Sequence, residues 1–214
     1  MNLEEGFALR LRGLFGSLAV MASLAAHATL IDFENLPNSN SSFTLHGDSV
    51  VSNGFRFSST TAVGDPEAIA SWGSGMSLYT GSVAIFANYI NDSLKMERVC
   101  GGSFDVTSMG LADVFRSGTP RDVILTGTRA DTTTVVHTFT LTNGMFMTDY
   151  NVGMSGLVSL LIDDGPDSSV QIDNVLAVVP EPATTLGVGV GLAALSRRAR
   201  RRAWRDERGR FSSS

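Results

Sequence analysis

The chain has 214 residues, 43% of them hydrophobic and 17% charged, and a formal net charge of −5. That charge averages two unlike parts: residues 29–178 hold thirteen Asp and three Glu against five Arg and one Lys, a net of −10, while the C-terminal end is rich in arginine. An acidic body argues against nucleic acid as a partner, since phosphate binding needs a basic face, and the single cysteine, Cys100, rules out a disulfide within the chain.

At the N-terminal end, Arg10 and Arg12 precede an apolar stretch from Leu14 to Ala25. Ala26-His27-Ala28 follows, with small residues at the two positions a signal peptidase reads. A cationic start, an apolar run and an A-x-A end form the pattern of a secretory signal peptide. The run is apolar on every face, unlike a helix packed on one side of a domain. Residues 1–28 are therefore expected to be a signal helix cut after Ala28, with Thr29 beginning the mature chain.

Residues 29–178 read as one domain, long enough to bury a core. Ser, Thr, Gly, Asn and Asp separate short β-branched and aromatic runs, and no long 3.6-residue period appears. Strands are predicted at 30–34, 54–58, 83–86, 103–108, 122–129, 134–142, 145–150, 157–163 and 170–178. Residues 65–78, with their proline, tryptophan and glycines, read as a long loop or one short helix. In 134–142, Val135, His137, Phe139 and Leu141 fall on one face, and Val136, Thr138 and Thr140 on the other. Asn143-Gly144 predicts a type I′ turn, so 122–150 would be a three-stranded meander. Cys100, beside Gly101-Gly102, reads as a small core residue. About nine to eleven short strands predict an all-β fold, a jelly-roll-like antiparallel β-sandwich. Ile31-Asp32-Phe33-Glu34, Gly54-Phe55-Arg56-Phe57 and Gln171-Ile172-Asp173-Asn174-Val175 are similar to jelly-roll domains of the carbohydrate-binding-module type.

Three kinds of chemistry can be weighed in this domain. First and last strands of such sandwiches often lie side by side, which would bring Asp32 or Glu34 near Asp173. Hard carboxylate oxygens of that kind suit a structural Ca²⁺, the one cofactor the sequence suggests. The loop Asp163-Asp164-Gly165-Pro166-Asp167 is a second candidate, and neither has EF-hand spacing. Turn-forming and surface carboxylates account for most of the other aspartates. For sugar binding, Trp72 sits among Ser and Gly and is the candidate platform for a pyranose, with Tyr79, Tyr89 and Tyr150 also available; packing under a loop is the alternative for each. For catalysis, His46-Gly47-Asp48-Ser49-Val50 is similar to the GDSL hydrolase box, yet the closing Asp-x-x-His is missing and no G-x-S-x-G elbow occurs. Two histidines and one cysteine do not make a catalytic zinc site, and no pair of acids stands out for glycosidase work. The domain is expected to be non-enzymatic.

The C-terminal end reads Val179-Pro180-Glu181-Pro182, then an apolar run to Leu195, then Arg197, Arg198, Arg200, Arg201 and Arg202. A helix over 183–196 would be followed by a disordered cytoplasmic tail at 203–214. The run from 183 to 195 spans about 20 Å as a helix, against about 30 Å of hydrocarbon. Snorkelling arginines and local thinning make up part of the gap, and the arginines should stay cytoplasmic as a stop-transfer signal. Residues 179–202 resemble a PEP-CTERM sorting signal, also known as the ice-binding-protein C-terminal motif, with the Pro-Glu-Pro box at Pro180, Glu181 and Pro182. The resemblance implies export in a Gram-negative-type bacterium that makes extracellular polysaccharide. It also implies an exosortase partner, a membrane transpeptidase-like enzyme that cuts at or near the box. The chain departs from the pattern in its short apolar run and its extension past the arginines. The expectation is a protein held in the inner membrane until processed, then at the cell surface or in the matrix. Its role would be non-catalytic, associated with extracellular polysaccharide or the envelope. A carbohydrate-binding module with a defined glycan is the alternative, ahead of a secreted hydrolase.

Overall fold

A computed structural model describes residues 26–115, 118–142, 146–163, 165 and 170–180. Residues 1–25 of the expected signal helix, the helix over 183–196, the arginine cluster, the tail and the Asn143-Gly144 turn lie outside the described residues; Ala26, His27 and Ala28, placed at the end of that helix by the sequence pattern, are strand instead. All regular structure in the described residues is strand: β1 (Ala26–Ile31), β2 (Phe43–Leu45), β3 (Ser49–Ser52), β4 (Phe55–Ser59), β5 (Ile69–Trp72), β6 (Ile85–Ala87), β7 (Leu94–Arg98), β8 (Phe104–Asp113), β9 (Arg121–Arg129), β10 (Thr134–Leu141), β11 (Thr148–Asp163) and β12 (Val170–Pro180). β1 and β12 extend the sheet on both sides of the expected 29–178.

The strands pair antiparallel in the order β2-β5-β6-β12-β8-β11-β7-β4-β3, with β1 added to β12 and the β9–β10 hairpin added to β11. β11 is where this ladder bends. Its first half runs beside β8, from Thr148 opposite Leu111 to Leu157 opposite Phe104. Its second half lies between β7 and β9. The register slips twice on the way, between Asn151 and Met154 and between Met154 and Leu157. Gly153 (φ 59°) and Gly156 (φ 70°) occupy the slips, where a left-handed backbone excludes most side chains. Such bulges let one strand pass from one layer to the other.

The two layers bury alternate residues in one core. Phe55 of β4 meets Phe104 of β8 edge-on, with centroids 5.3 Å apart, and Phe33 meets Phe57 at 5.0 Å. Leu125, Leu160 and Met96 from one layer join Ile31, Val106, Leu111 and Ile172 from the other, all at most 1% exposed. Each such side chain contributes about 1.5–3 kcal/mol by leaving water.

Several sequence expectations need correction. The 65–78 segment contains β5, which the sequence pattern missed because Ile69, Ala70 and Ser71 are all buried and so do not alternate. The 122–150 meander does not form: β10 pairs with β9 alone among the described residues, and β9 turns its other edge to β11. β11 carries Val152, Met154, Leu157, Leu160 and Ile162, which a place beside the edge strand would leave in water. The strands predicted at 145–150 and 157–163 are parts of this one strand. Cys100 is exposed rather than buried.

Candidate functional site

An aromatic groove lies on the outer face of one layer. Ile69, Ile85 and Ala87 point into the main core, so the intervening Ala70 and Phe86 face the other way. There they pack with Val114 and Trp72 as a second, smaller cluster. Trp72 stands opposite Phe43 in the β2–β5 register. The two rings meet at 6.1 Å and 81°, and Phe86 lies 5.4 Å from Trp72 at 30°. Together with Asn88, Tyr89, Ile90 and Phe115 they line a cavity of about 240 Å³. Phe43 is 44% exposed and Phe115 60%. Trp72 is therefore neither a loop residue nor a free platform. It is a half-buried strand residue that supports a more exposed rim, and its indole Nε1 is buried without a hydrogen-bond partner. The Tyr89 hydroxyl donates to Asp65 Oδ2 at 3.0 Å, and that bond raises its pKa. Tyr150 packs on Phe139 beside the main core and offers no platform.

The acidic trio does come together. β1 pairs with β12, and Asp173 lies close enough to Glu34 and Asp32 to feel both charges. Asp173 is fully buried. Ser82 Oγ donates to its Oδ2, and the Asn174 amide donates to Oδ1 at 2.7 Å. Burial pushes its carboxyl up to about 6, those two hydrogen bonds oppose the rise, and the charges of Glu34 and Asp32 add to it. Glu34 Oε1 accepts from the Val83 amide at 2.9 Å. Left-handed backbone at Phe33, just past the end of β1 (φ 54°), and at Asn174 within β12 (φ 49°) bends the chain beside these acids. No three His, Cys, Asp or Glu side chains among the described residues are arranged to hold a metal ion. In the second candidate loop, Asp163 Oδ1 accepts from the Gly165 amide at 2.9 Å, closing a local turn; Asp164, Pro166 and Asp167 lie outside the described residues.

The GDSL-like run folds into a loop tie. Asp48 Oδ2 accepts from the Gly64 amide at 2.8 Å. His46 Nε2 meets Ser71 Oγ at 2.8 Å, but Ser71 is fully buried, so no substrate reaches that hydroxyl. Burial also lowers the His46 pKa.

The remaining site is the chain's C-terminal edge. Val179 and Pro180 are the last residues of β12, and Ala26 and Ala28 are exposed residues of β1. Glu181 and Pro182 lie outside the described residues. An exported-type sorting signal on an all-β body is the class of protein these features define. Residues 178–202 match the PEP-CTERM protein-sorting motif, so the chain carries that signal.

Solved structures with similar folds include the CBM22-1 xylan-binding domain of Paenibacillus barcinonensis Xyn10C, at 13% identity and TM-score 0.39, covering 75% of this chain and all of that one. TmCBM61 in complex with beta-1,4-galactotriose is 10% identical with TM-score 0.36, over 60% of this chain and 90% of that one. The C-terminal domain of a chitobiase from Bacteroides fragilis is 13% identical with TM-score 0.36, over 60% and 99%. No curated protein matches the chain.

Proposed function

We propose that this is an exported, surface-sorted, non-catalytic protein of a Gram-negative-type bacterium. The sorting motif at residues 178–202 carries this reading. The signal peptide delivers the chain across the inner membrane, and the apolar run and its arginines hold it there. An exosortase then cuts at or near the Pro-Glu-Pro box and passes the β domain to the surface or the polysaccharide matrix. An acidic body suits that setting, since net charge keeps an exported domain soluble. Replacing Pro180 and Glu181 together should make full-length protein accumulate in a host that carries the sorting enzyme. Unchanged gel mobility and release would overturn the reading.

The groove favours a second reading, in which the domain itself grips a glycan. Exposed Phe43 and Phe115 offer flat apolar faces, and Asn88 and the Tyr89–Asp65 pair offer polar groups beside them. That combination of apolar wall and few polar contacts is what small-ligand sites use.

A further inference from the structure

We propose that two copies of this chain pair through β10, edge to edge and antiparallel, about a two-fold axis at Thr138. Among the described residues β10 pairs with β9 alone, so its other edge is open. The register runs unbroken from Thr134 opposite Thr128 to Leu141 opposite Arg121. β2 and β3, which end the main ladder, are three and four residues long, whereas β10 has eight. Those eight residues include no Pro, Gly, Lys, Arg, Asp or Glu. Prolines, lysines, inward charges and bulges are the devices that keep a lone edge from pairing, and β10 carries none of them.

The hairpin fixes which backbone groups face outward. It closes with the Arg129 amide donating to the Thr133 carbonyl at 2.9 Å. Hydrogen-bonded rungs recur at every second pair, so Val135, His137, Phe139 and Leu141 bond to β9. The N–H and C=O groups of Val136, Thr138 and Thr140 then point to the open side. Those three side chains are also exposed, while Val135, His137 and Phe139 are half-buried. Residues opposite each other in a sheet share a face, so exposed must meet exposed across the seam. With the two-fold at Thr138, each Thr138 faces its own copy, Val136 faces Thr140 and His137 faces Phe139. These are Thr–Thr, β-branched and aromatic pairs, the kinds that stabilise a sheet. A two-fold at His137 would instead set the two imidazoles against each other. Charge favours a second copy as the occupant. Residues 29–178 carry a net of −10, so two such bodies meet most readily along a strand without an acid. Asp122, on the neighbouring strand, is held by Thr140 Oγ1 at 2.6 Å. The pairing uses the same edge on both copies, so it closes at two.

The test is sedimentation of the full chain in detergent, where the wild type should run as a dimer. Thr138→Lys sets like charges opposite each other at an exposed position. It should raise the dissociation constant about fivefold or more and leave the melting curve unchanged. Thr138→Glu should do the same, and mixing the two variants should restore a dimer with one copy of each. Oxidation in a Cys100→Ser background reads the register. Across the two-fold, the Cα atoms of Thr138 stand about 5.5 Å apart, within disulfide reach, and those of Val136 about 13 Å apart. Thr138→Cys should therefore cross-link, and Val136→Cys should not. A monomeric wild type, a dimer indifferent to Thr138→Lys, no rescue on mixing, or cross-linking at Val136 would each overturn the pairing.

Discussion

Asp173 and Asp92 show how a buried carboxyl can be held in opposite ways. Asp92 is buried too, which by itself pushes its pKa up, yet Ser59 Oγ at 2.6 Å and the amides of Thr60 and Thr61 at 3.1 and 3.0 Å outweigh that and leave it below the ordinary value. Its contribution to stability is present above the unfolded value and fades as pH falls. Asp173 lacks that excess of donors and faces two like charges. Between 3.8 and about 6 the folded chain holds a proton there that the unfolded chain has released. Stability from this group is thus full below 3.8 and is lost as pH rises through about 6. One pKa unit corresponds to about 1.4 kcal/mol, so the window is worth at most about 3 kcal/mol. Denaturant titrations should show stability declining across that window in the wild type, with the decline flattened in Asp173→Asn. An equal slope in both would mean that another group titrates.

The groove belongs to the scale of elements, because β2, β5 and β6 build it jointly. Trp72→Ala would strip the centre of the smaller cluster and should cost about 3–5 kcal/mol, as large aromatic truncations do. Phe115→Ala, at an exposed rim position, should change stability by less than about 0.5 kcal/mol. If the groove grips a glycan, the same Phe115→Ala removes an exposed stacking face and should weaken binding about tenfold or more, equivalent to about 1.4 kcal/mol. Thermal unfolding and titration with whichever glycan binds on an array check the two halves separately. Undiminished affinity in Phe115→Ala would move the ligand away from the groove.

Legibility at this scale followed solvent exposure. The alternation of β10 was readable because one face meets water: Val135, His137 and Phe139 are half-buried, and Val136, Thr138 and Thr140 exposed. The pairing of first and last strands, and with it the meeting of Asp32, Glu34 and Asp173, also followed from the sandwich pattern. β5 was hidden because both its faces are covered. The β3–β4 hairpin left a usable signal that went unread: Asn53 (φ 48°) and Gly54 (φ 81°) form its two-residue turn, an Asn-Gly pair between alternating apolar residues. Phe43 and Phe115 left none, since their exposure depends on partners far along the chain.

At the scale of the whole molecule, charge is sorted along the chain. The body between residues 29 and 178 is strongly acidic, and the five arginines follow a run too short to span a bilayer without help. If the run inserts as proposed above, a segment of that length stops in the membrane only where its end resists passage, and each arginine opposes burial at the bilayer centre by about 2.5–3.5 kcal/mol on insertion scales. Replacing Arg197, Arg198, Arg200, Arg201 and Arg202 with Ser removes that resistance and leaves the β domain untouched. The Ser variant should therefore escape inner-membrane retention, read by fractionation, while its circular dichroism and melting curve match the wild type. Were it to remain in the inner membrane at wild-type levels, the apolar run alone would be the anchor and the arginines would have no stop-transfer role.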